Sequence, residues 1–208
     1  MAVYRGEKKR GKLGDEIYSS WNGRDYVRRR PISVANPQTE AQQSHRNAFA
    51  EISRLSSAMK KAHNVGLHWQ AVRQKLNTHS VFKSLNKNCY GPDGIDYPHV
   101  CISHGNVPKV SIESAEVNAK GVVEVRFTPS LMSDDSDDQF FLYVFCPDLR
   151  DGHFAKPVTR STGVVCAEIL PDWCGHILHL YAFMKDSKER TSETIYMGQF
   201  NSDPVELS

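Results

Sequence analysis

The spacing of hydrophobic residues divides the chain into a helical part and a strand-rich part. Between residues 36 and 64, apolar and small side chains recur at helical spacing. They form one stripe of a predicted amphipathic helix: Ala41, Ala48, Phe49, Ile52, Leu55, Ser56 and Met59. A weaker helical pattern runs from about residue 68 to residue 85, through Val72, Leu76 and Phe82.

After residue 90 the hydrophobic period becomes that of strands. Turn residues separate eight predicted strands, at 100–103, 110–117, 122–128, 140–146, 154–159, 164–169, 177–184 and 194–200. Strands of this length and spacing are typical of an antiparallel β-sandwich. The stretch ILPDWCGHILHLYAFM, with Tyr181 inside its second strand, resembles the corner before strand F of fibronectin type III domains.

The predicted fold class is therefore α+β. An N-terminal basic arm and β-hairpin precede one or two helices, and an antiparallel immunoglobulin/fibronectin III-like β-sandwich follows. The predicted boundaries are 1–35 for the arm and hairpin, 36–90 for the helical segment and 91–208 for the sandwich.

The hairpin prediction rests on the segment EIYSSWNGRDYVRR. An Asn-Gly pair favours a two-residue turn in which both residues have positive φ. A loop at Asn22-Gly23 places Trp21 opposite Arg24 and Glu16 opposite Arg29. An isolated two-stranded ribbon is marginally stable in water, so we expect this one to pack against something else.

Two starts are open for the first helix. Asn36 can be the N-cap residue with Pro37 at the first helical position, or Thr39 and Gln42 can form a capping box. Residues 1–15 lack hydrophobic periodicity, which predicts disorder or an extended arm.

The composition argues against a membrane-spanning or secreted protein. With 208 residues, of which 39% are hydrophobic and 24% charged, it has the make-up of a soluble globular protein. No apolar run approaches the about 20 residues of a membrane-spanning helix, and no apolar segment follows the basic N-terminus. We expect no membrane partner, a cytoplasmic location (or a virion if the chain is phage-encoded), and five reduced, mostly buried cysteines.

Charge is distributed unevenly along the chain. Residues 1–83 hold 16 Lys and Arg against 6 Asp and Glu, a net charge of +10, whereas residues 84–208 hold 10 against 18, a net charge of −8. A chain polarised in this way favours contact between its basic part and an acidic surface. That surface can be a nucleic acid, a partner protein or the acidic half of another copy.

Two sets of residues are candidate binding sites. The first could bind a protein partner or nucleic acid, because its cations can neutralise phosphates and its aromatic rings can stack on bases. It comprises Lys8, Lys9, Arg10, Lys12, Trp21, Arg24, Tyr26, Arg28, Arg29 and Arg30. The second is a predicted solvated acidic loop that a neighbour's basic arm could contact: Asp134, Asp135, Asp137 and Asp138.

The chain lacks the patterns of the common catalytic and metal sites. It has no nucleophile elbow, phosphate-binding glycine loop or His-Glu metal motif. Cys166, Cys174, His176 and His179 do not have the Cys-x-x-Cys spacing of a zinc site, and a strand would direct His176 and His179 to opposite faces. We therefore expect no catalytic residues, no metal and no cofactor.

The ordered motifs GKLGDEIYSSWNGRDYVRRRP, NPQTEAQQSHRNAF, IDYPHVCISHGNV and SETIYMGQF resemble an uncharacterised family abundant in Bacteroidetes and their mobile elements. The matching positions are Gly11, Lys12, Gly14, Trp21, Gly23, Tyr26, Arg28, Pro31, Asn36, Pro37, Thr39, Gln42, Arg46, Phe49, Ser192, Tyr196 and Gly198. The resemblance implies no activity, and its mobile-element context favours a virion or other assembly component.

The sequence therefore supports two functional hypotheses. In the first, the protein is a non-enzymatic structural or assembly protein that docks through its basic arm and hairpin to a larger complex or to like subunits; a phage virion component is its sharpest form. In the second, it is a nucleic-acid-binding accessory protein that uses the same basic ribbon.

Overall fold

The structure, a computed structural model, describes residues 3–5, 8–21, 23–33, 38–118, 121–129 and 137–202, without the side chains of residues 3–9. The chain forms two compact units, Met1–Gln42 and Gln43–Ser208.

The first unit is a four-stranded antiparallel sheet. Its strands, β1 (Val3–Arg5), β2 (Lys8–Leu13), β3 (Glu16–Trp21) and β4 (Arg24–Arg29), lie in the order β1-β2-β3-β4. Of the two alternatives for the arm, disorder is wrong for residues 3–5 and 8–13, because they are extended strands that pair and continue the hairpin.

The predicted register of the hairpin is confirmed. Trp21 lies opposite Arg24, and Glu16 lies opposite Arg29. Gly23 has a φ of 78°, which is the positive value that the turn requires, and Asn22 lies outside the described residues.

Four helices follow: α1 (Glu40–Ala58), α2 (Lys60–Gly66), α3 (His68–Gln74) and α4 (Thr78–Leu85). The backbone N–H of Gln42 donates to Thr39 Oγ1 at 3.4 Å, so the second of the two helix starts is confirmed; Asn36 and Pro37 lie outside the described residues. The single helix expected at 68–85 is divided in two, because Lys75 has a φ of 54° and Asn77 caps a new helix.

The remaining elements are short hairpin strands and the strands of the sandwich. They are β5 (Tyr90–Gly91), β6 (Gly94–Ile95), β7 (Ile112–Val117), β8 (Val122–Phe127), β9 (Gln139–Cys146), β10 (Asp151–Phe154), β11 (Val158–Thr159), β12 (Val164–Glu168), β13 (Ile177–Lys185) and β14 (Ile195–Asn201), with 3₁₀ turns at Tyr97–His99 and Pro171–Trp173. Residues 100–103 are described and do not form the predicted strand. The strand predicted at 154–159 is replaced by the end of β10 and by β11.

Two antiparallel sheets pack face to face. One has the order β12-β8-β7, and the other has the order β10-β9-β13-β14 with β11 also paired to β9. Their facing side chains form one hydrophobic cluster, so this part of the chain is the predicted immunoglobulin/fibronectin III-like sandwich. The α+β fold class is thereby confirmed.

A second hydrophobic cluster lies on the other side of β9 and β13. Along β9, Leu142 and Val144 face the sandwich core, while Phe141, Tyr143 and Phe145 face the opposite way. Helix residues complete this second cluster: Ile52, Leu55, Met59, Ala62, Leu67, Ala71, Val81 and Phe82. The helices therefore cover the outer face of the larger sheet.

Polar contacts tie the helical layer to the sandwich. Tyr181 Oη donates to the carbonyl of Tyr97 at 2.9 Å, and Thr191 Oγ1 donates to the carbonyl of Gly66 at 3.0 Å. Because Gly66 has no side chain, its Cα can lie directly against the backbone of Ile102.

Parts of the predicted helical stripe are exposed. Ile52, Leu55 and Met59 are buried, but Phe49 is 61% exposed and lies 4.7 Å from the Lys83 ammonium group. Val72 is 64% exposed. The expectation that most cysteines are buried is also wrong, because only two of the five free cysteines are buried.

Replacing Gly66 by Ala should destabilise the fold. The added Cβ would overlap the carbonyl oxygen of Ile102, and overpacking of this kind costs about 1–3 kcal/mol even though Ala favours helices. The matched control is Gly91→Ala, because a Cβ there meets nothing within 4 Å. Urea unfolding at pH 7 should separate the two variants, and equal midpoints would contradict the packing argument.

The stability of the fold should fall below pH 6.5 partly because of His179. Burial lowers the pKa of His179 from 6.5 to about 4. Between pH 6.5 and 4, the unfolded chain therefore binds a proton that the folded chain does not bind. The free energy of unfolding is highest above pH 6.5 and decreases as the pH falls towards 4, by roughly 3 kcal/mol at most. His179→Gln should flatten the dependence of unfolding free energy on pH, whereas the exposed His68→Gln should not.

Candidate docking surface

The N-terminal sheet has no buried side chain among residues 10–21 and 23–33. Large apolar groups are instead open to solvent: Trp21 is 70% exposed, Val27 53% and Tyr26 46%. Exposed apolar groups that are gathered on one small element mark interaction surfaces more often than scattered ones do. The sheet therefore leaves its largest described apolar side chains in contact with solvent.

The strand register sorts the charged residues onto two different faces. Lys12 lies opposite Ile17, which lies opposite Arg28, so these three side chains share one face. We call this the basic face; its members are Lys12, Ile17, Ser19, Trp21, Arg24, Tyr26 and Arg28. It holds three cations and two exposed aromatic rings, and none of these seven residues is a carboxylate.

The opposite face holds two carboxylates and one cation on β3 and β4. It carries Glu16 and Asp25 together with Arg29, and Glu16 lies directly opposite Arg29. Glu16 also accepts a hydrogen bond of 2.5 Å from Tyr18 Oη, which raises the pKa of Tyr18. The two faces thus differ in net charge, and the positive potential is concentrated on the basic face.

The other predicted cations occupy different positions. Arg10 is exposed on β2, and Lys8 and Lys9 belong to the same strand, with their side chains outside the described part of the structure. Arg30 follows the end of β4, and its backbone N–H donates to the carbonyl of Asp15 at 2.6 Å. The structure therefore groups Lys12, Arg24 and Arg28 with Trp21 and Tyr26, and it separates Arg29 from them.

The predicted acidic loop is described only in part. Asp134 and Asp135 lie outside the described residues, and Asp137 is exposed. Asp138 is buried, and its carboxylate lies 3.8 Å from the Arg160 guanidinium. For Asp138 the interpretation as a solvated tip is therefore wrong, because the side chain is directed towards an internal cation.

A different acidic surface was missed by the sequence reasoning. Glu116, Glu124 and Glu168 project from the outer face of the β12-β8-β7 sheet, away from the sandwich core. Each occupies a polar position in an alternating strand, which is the signal that could have revealed it. The register across three strands, which brings them together, is not visible in the sequence.

Two cysteine thiols of the second unit have raised pKa values. Burial raises the pKa of the Cys89 thiol to about 11, and burial also raises the pKa of Cys101, so neither is activated as a thiolate. Within the described ranges no three His, Cys, Asp or Glu side chains lie close enough to hold a metal ion. In the same ranges no helix is long and apolar enough to cross a membrane.

A cleft of about 690 Å³ lies between α3 and the loops at one end of the sandwich. Two of its charged contacts are internal: Arg190 binds Asp186 at 2.6 Å, and the Arg73 guanidinium lies 5.4 Å from the Trp69 ring.

Comparison with known proteins identifies relatives without assigning an activity. A family model described as "Family of unknown function (DUF6266)" matches residues 8–198. No curated protein is significantly similar to the chain. The fibronectin type III domain of the human collagen α1(XX) chain, solved in solution, is structurally similar with a TM-score of 0.35 and 11% identity, over 51% of this chain and 92% of that one.

Removal of the N-terminal sheet should leave the rest of the protein folded. A chain shortened to residues 39–208 keeps every member of both hydrophobic clusters. Its unfolding free energy should match that of the full chain within about 0.5 kcal/mol, the usual range for surface changes. Urea unfolding followed by circular dichroism tests this, and a loss of more than about 2 kcal/mol would show that the sheet is part of the core.

Proposed function

The chain belongs to the DUF6266 family, whose function is unknown, and we propose that it is a non-enzymatic structural or assembly protein that docks through its N-terminal sheet. One observation carries this proposal. The sheet has no buried side chain in its described part, yet one of its faces combines three cations with two exposed aromatic rings.

The composition of the basic face supports a protein partner. Trp, Tyr and Arg are the residues that most often dominate the binding energy of protein interfaces. Trp21 and Tyr26 offer large areas for burial, while Arg24 and Arg28 can donate paired hydrogen bonds to carboxylates. The partner that suits this surface has accessible carboxylates beside apolar side chains.

The proposed partner is a larger complex or a set of like subunits. A phage virion is the sharpest form of this proposal, since such particles are built from many copies of small proteins held by terminal segments. In that case the protein occupies the virion, and otherwise it acts in the cytoplasm.

The runner-up function is nucleic-acid binding by the same face. Rings that alternate with cations on a sheet can stack on bases while the cations neutralise phosphates. If Lys12, Arg24 and Arg28 each neutralise one phosphate, the logarithm of the affinity should fall with the logarithm of the salt concentration with a slope of about −2 to −3.

Neutralising the basic face should abolish assembly without unfolding the protein. The test variant is Lys12→Gln, Arg24→Gln and Arg28→Gln, in which all three changed side chains are exposed. The control, Lys60→Gln, Lys75→Gln and Lys87→Gln, removes the same charge from exposed positions of the second unit. Light scattering with absorbance at 260 and 280 nm measures mass and nucleic-acid content at low and high salt.

We expect the wild type and the lysine control to form a defined oligomer free of nucleic acid, and the basic-face variant to run as a 23.5 kDa monomer. Normal assembly of the basic-face variant would contradict docking through this surface. A monomer that carries nucleic acid at low salt and releases it at high salt would favour the runner-up.

A further inference from the structure

The sandwich has one face that no described element of the second unit covers. The helices pack on the outer face of the β10-β9-β13-β14 sheet, whereas the outer face of the β12-β8-β7 sheet is open. We call the latter the outer three-strand face; its members are Ser114, Glu116, Val122, Glu124, Arg126, Val164, Cys166 and Glu168. All eight are exposed or half-buried.

The arrangement of carboxylates on this face destabilises the sheet. Glu116 lies directly opposite Glu124 across β7 and β8, and like charges in such pairs destabilise a sheet. Arg126 offsets part of this, because its guanidinium binds Glu124 at 2.7 Å. Glu116 and Glu168 have no ion-pair partner in the described part of the chain, so they are available to cations from outside.

Apolar side chains accompany these carboxylates. Val122 and Val164 are half-buried, and Cys166 is exposed on the same face. The face therefore offers carboxylates beside a shallow apolar patch, which is the chemistry that the basic face with its Trp21 and Tyr26 requires.

We propose that the basic face of one copy of this chain packs on the outer three-strand face of a second copy. The inference rests on the proposed docking function and names its partner. Lys12, Arg24 and Arg28 supply three positive charges without a carboxylate, and the outer three-strand face supplies three carboxylates and one cation.

The two surfaces also match in width. Lys12, Ile17 and Arg28 form a row across β2, β3 and β4, and Glu116, Glu124 and Cys166 form a row across β7, β8 and β12. Neighbouring strands are about 4.8 Å apart in any sheet, so the outer members of each row are separated by about 10 Å. Two stacked sheets lie about 10 Å apart, a distance that Lys and Arg side chains span.

The contact joins two different surfaces, so it is heterologous. After a single contact the pair of copies keeps one free basic face and one free outer three-strand face, and further copies can add until a ring closes or a filament grows. Because the paired charges lie at an exposed surface, the contact should weaken as salt rises.

A mixing experiment tests the proposal. The basic-face variant (Lys12→Gln, Arg24→Gln, Arg28→Gln) keeps only the outer three-strand face, and an acidic-face variant (Glu116→Gln, Glu168→Gln) keeps only the basic face. Each should be a monomer alone, and an equimolar mixture should form a one-to-one dimer. The control Asp93→Asn, Asp172→Asn removes two exposed carboxylates from elsewhere and should assemble like the wild type.

A second readout separates a binding role from a structural one. Glu116→Gln removes the repulsion from Glu124, so this variant should unfold at an equal or higher urea concentration while its self-association weakens at least tenfold. Equilibrium sedimentation gives the association constant, and urea unfolding gives the stability. Destabilisation together with weaker association would instead mean that the carboxylate serves the fold, which would overturn the proposal.

Several other outcomes would overturn the inference. If the acidic-face variant assembles normally while the basic-face variant does not, the second-copy inference is wrong and the proposed docking function stands. If both variants assemble normally, both are wrong. A wild type that is monomeric, or whose excess mass is nucleic acid by its 260 nm absorbance, overturns the inference.

Discussion

The structure depends on two strands that are apolar on both faces. β9 reads QFFLYVFC and β13 reads ILHLYAFMK, and nearly all of these side chains are buried. A strand in an ordinary two-sheet sandwich needs cover on one side only, because its other face meets water. Here both faces need cover, so the smaller sheet packs on one side and four helices pack on the other.

This requirement explains why the helices and the sandwich form one unit. The helices pack on four aromatic side chains of β9 and β13: Phe141, Tyr143, Tyr181 and Phe183. Thr191 and Tyr181 then hold the layer by hydrogen bonds to the backbone carbonyls of Gly66 and Tyr97. The N-terminal sheet contributes no described residue to either cluster.

Much of this architecture could be predicted because the signals are local. The Asn-Gly turn set the register of Glu16 against Arg29, and alternation placed most sandwich strands within a few residues. Long-range features could not be predicted. Nothing in the spacing of Phe49 or Val72 distinguishes them from Ile52, since exposure is decided by which tertiary neighbour lies opposite.

The candidate site could also be predicted only in part, because it depends on long-range pairing of strands. Its basic residues are adjacent in sequence, but their division into two faces needs the pairing of β2, β3 and β4. Residues 8–13 are nearly all polar, so periodicity gave no reason to expect a strand there. Glu116, Glu124 and Glu168 come from three strands spread over some fifty residues, and only the fold brings them to one surface.

The order of the elements along the chain has a consequence for synthesis. The apolar faces of the helices emerge from the ribosome before the strands that cover them, and these strands end only near residue 185. At about 5–20 residues per second, the stripe around Ile52 and Met59 waits roughly 6 to 25 seconds for its partner surface. During that interval the nascent chain exposes apolar surface of the kind that makes incompletely folded chains prone to aggregation.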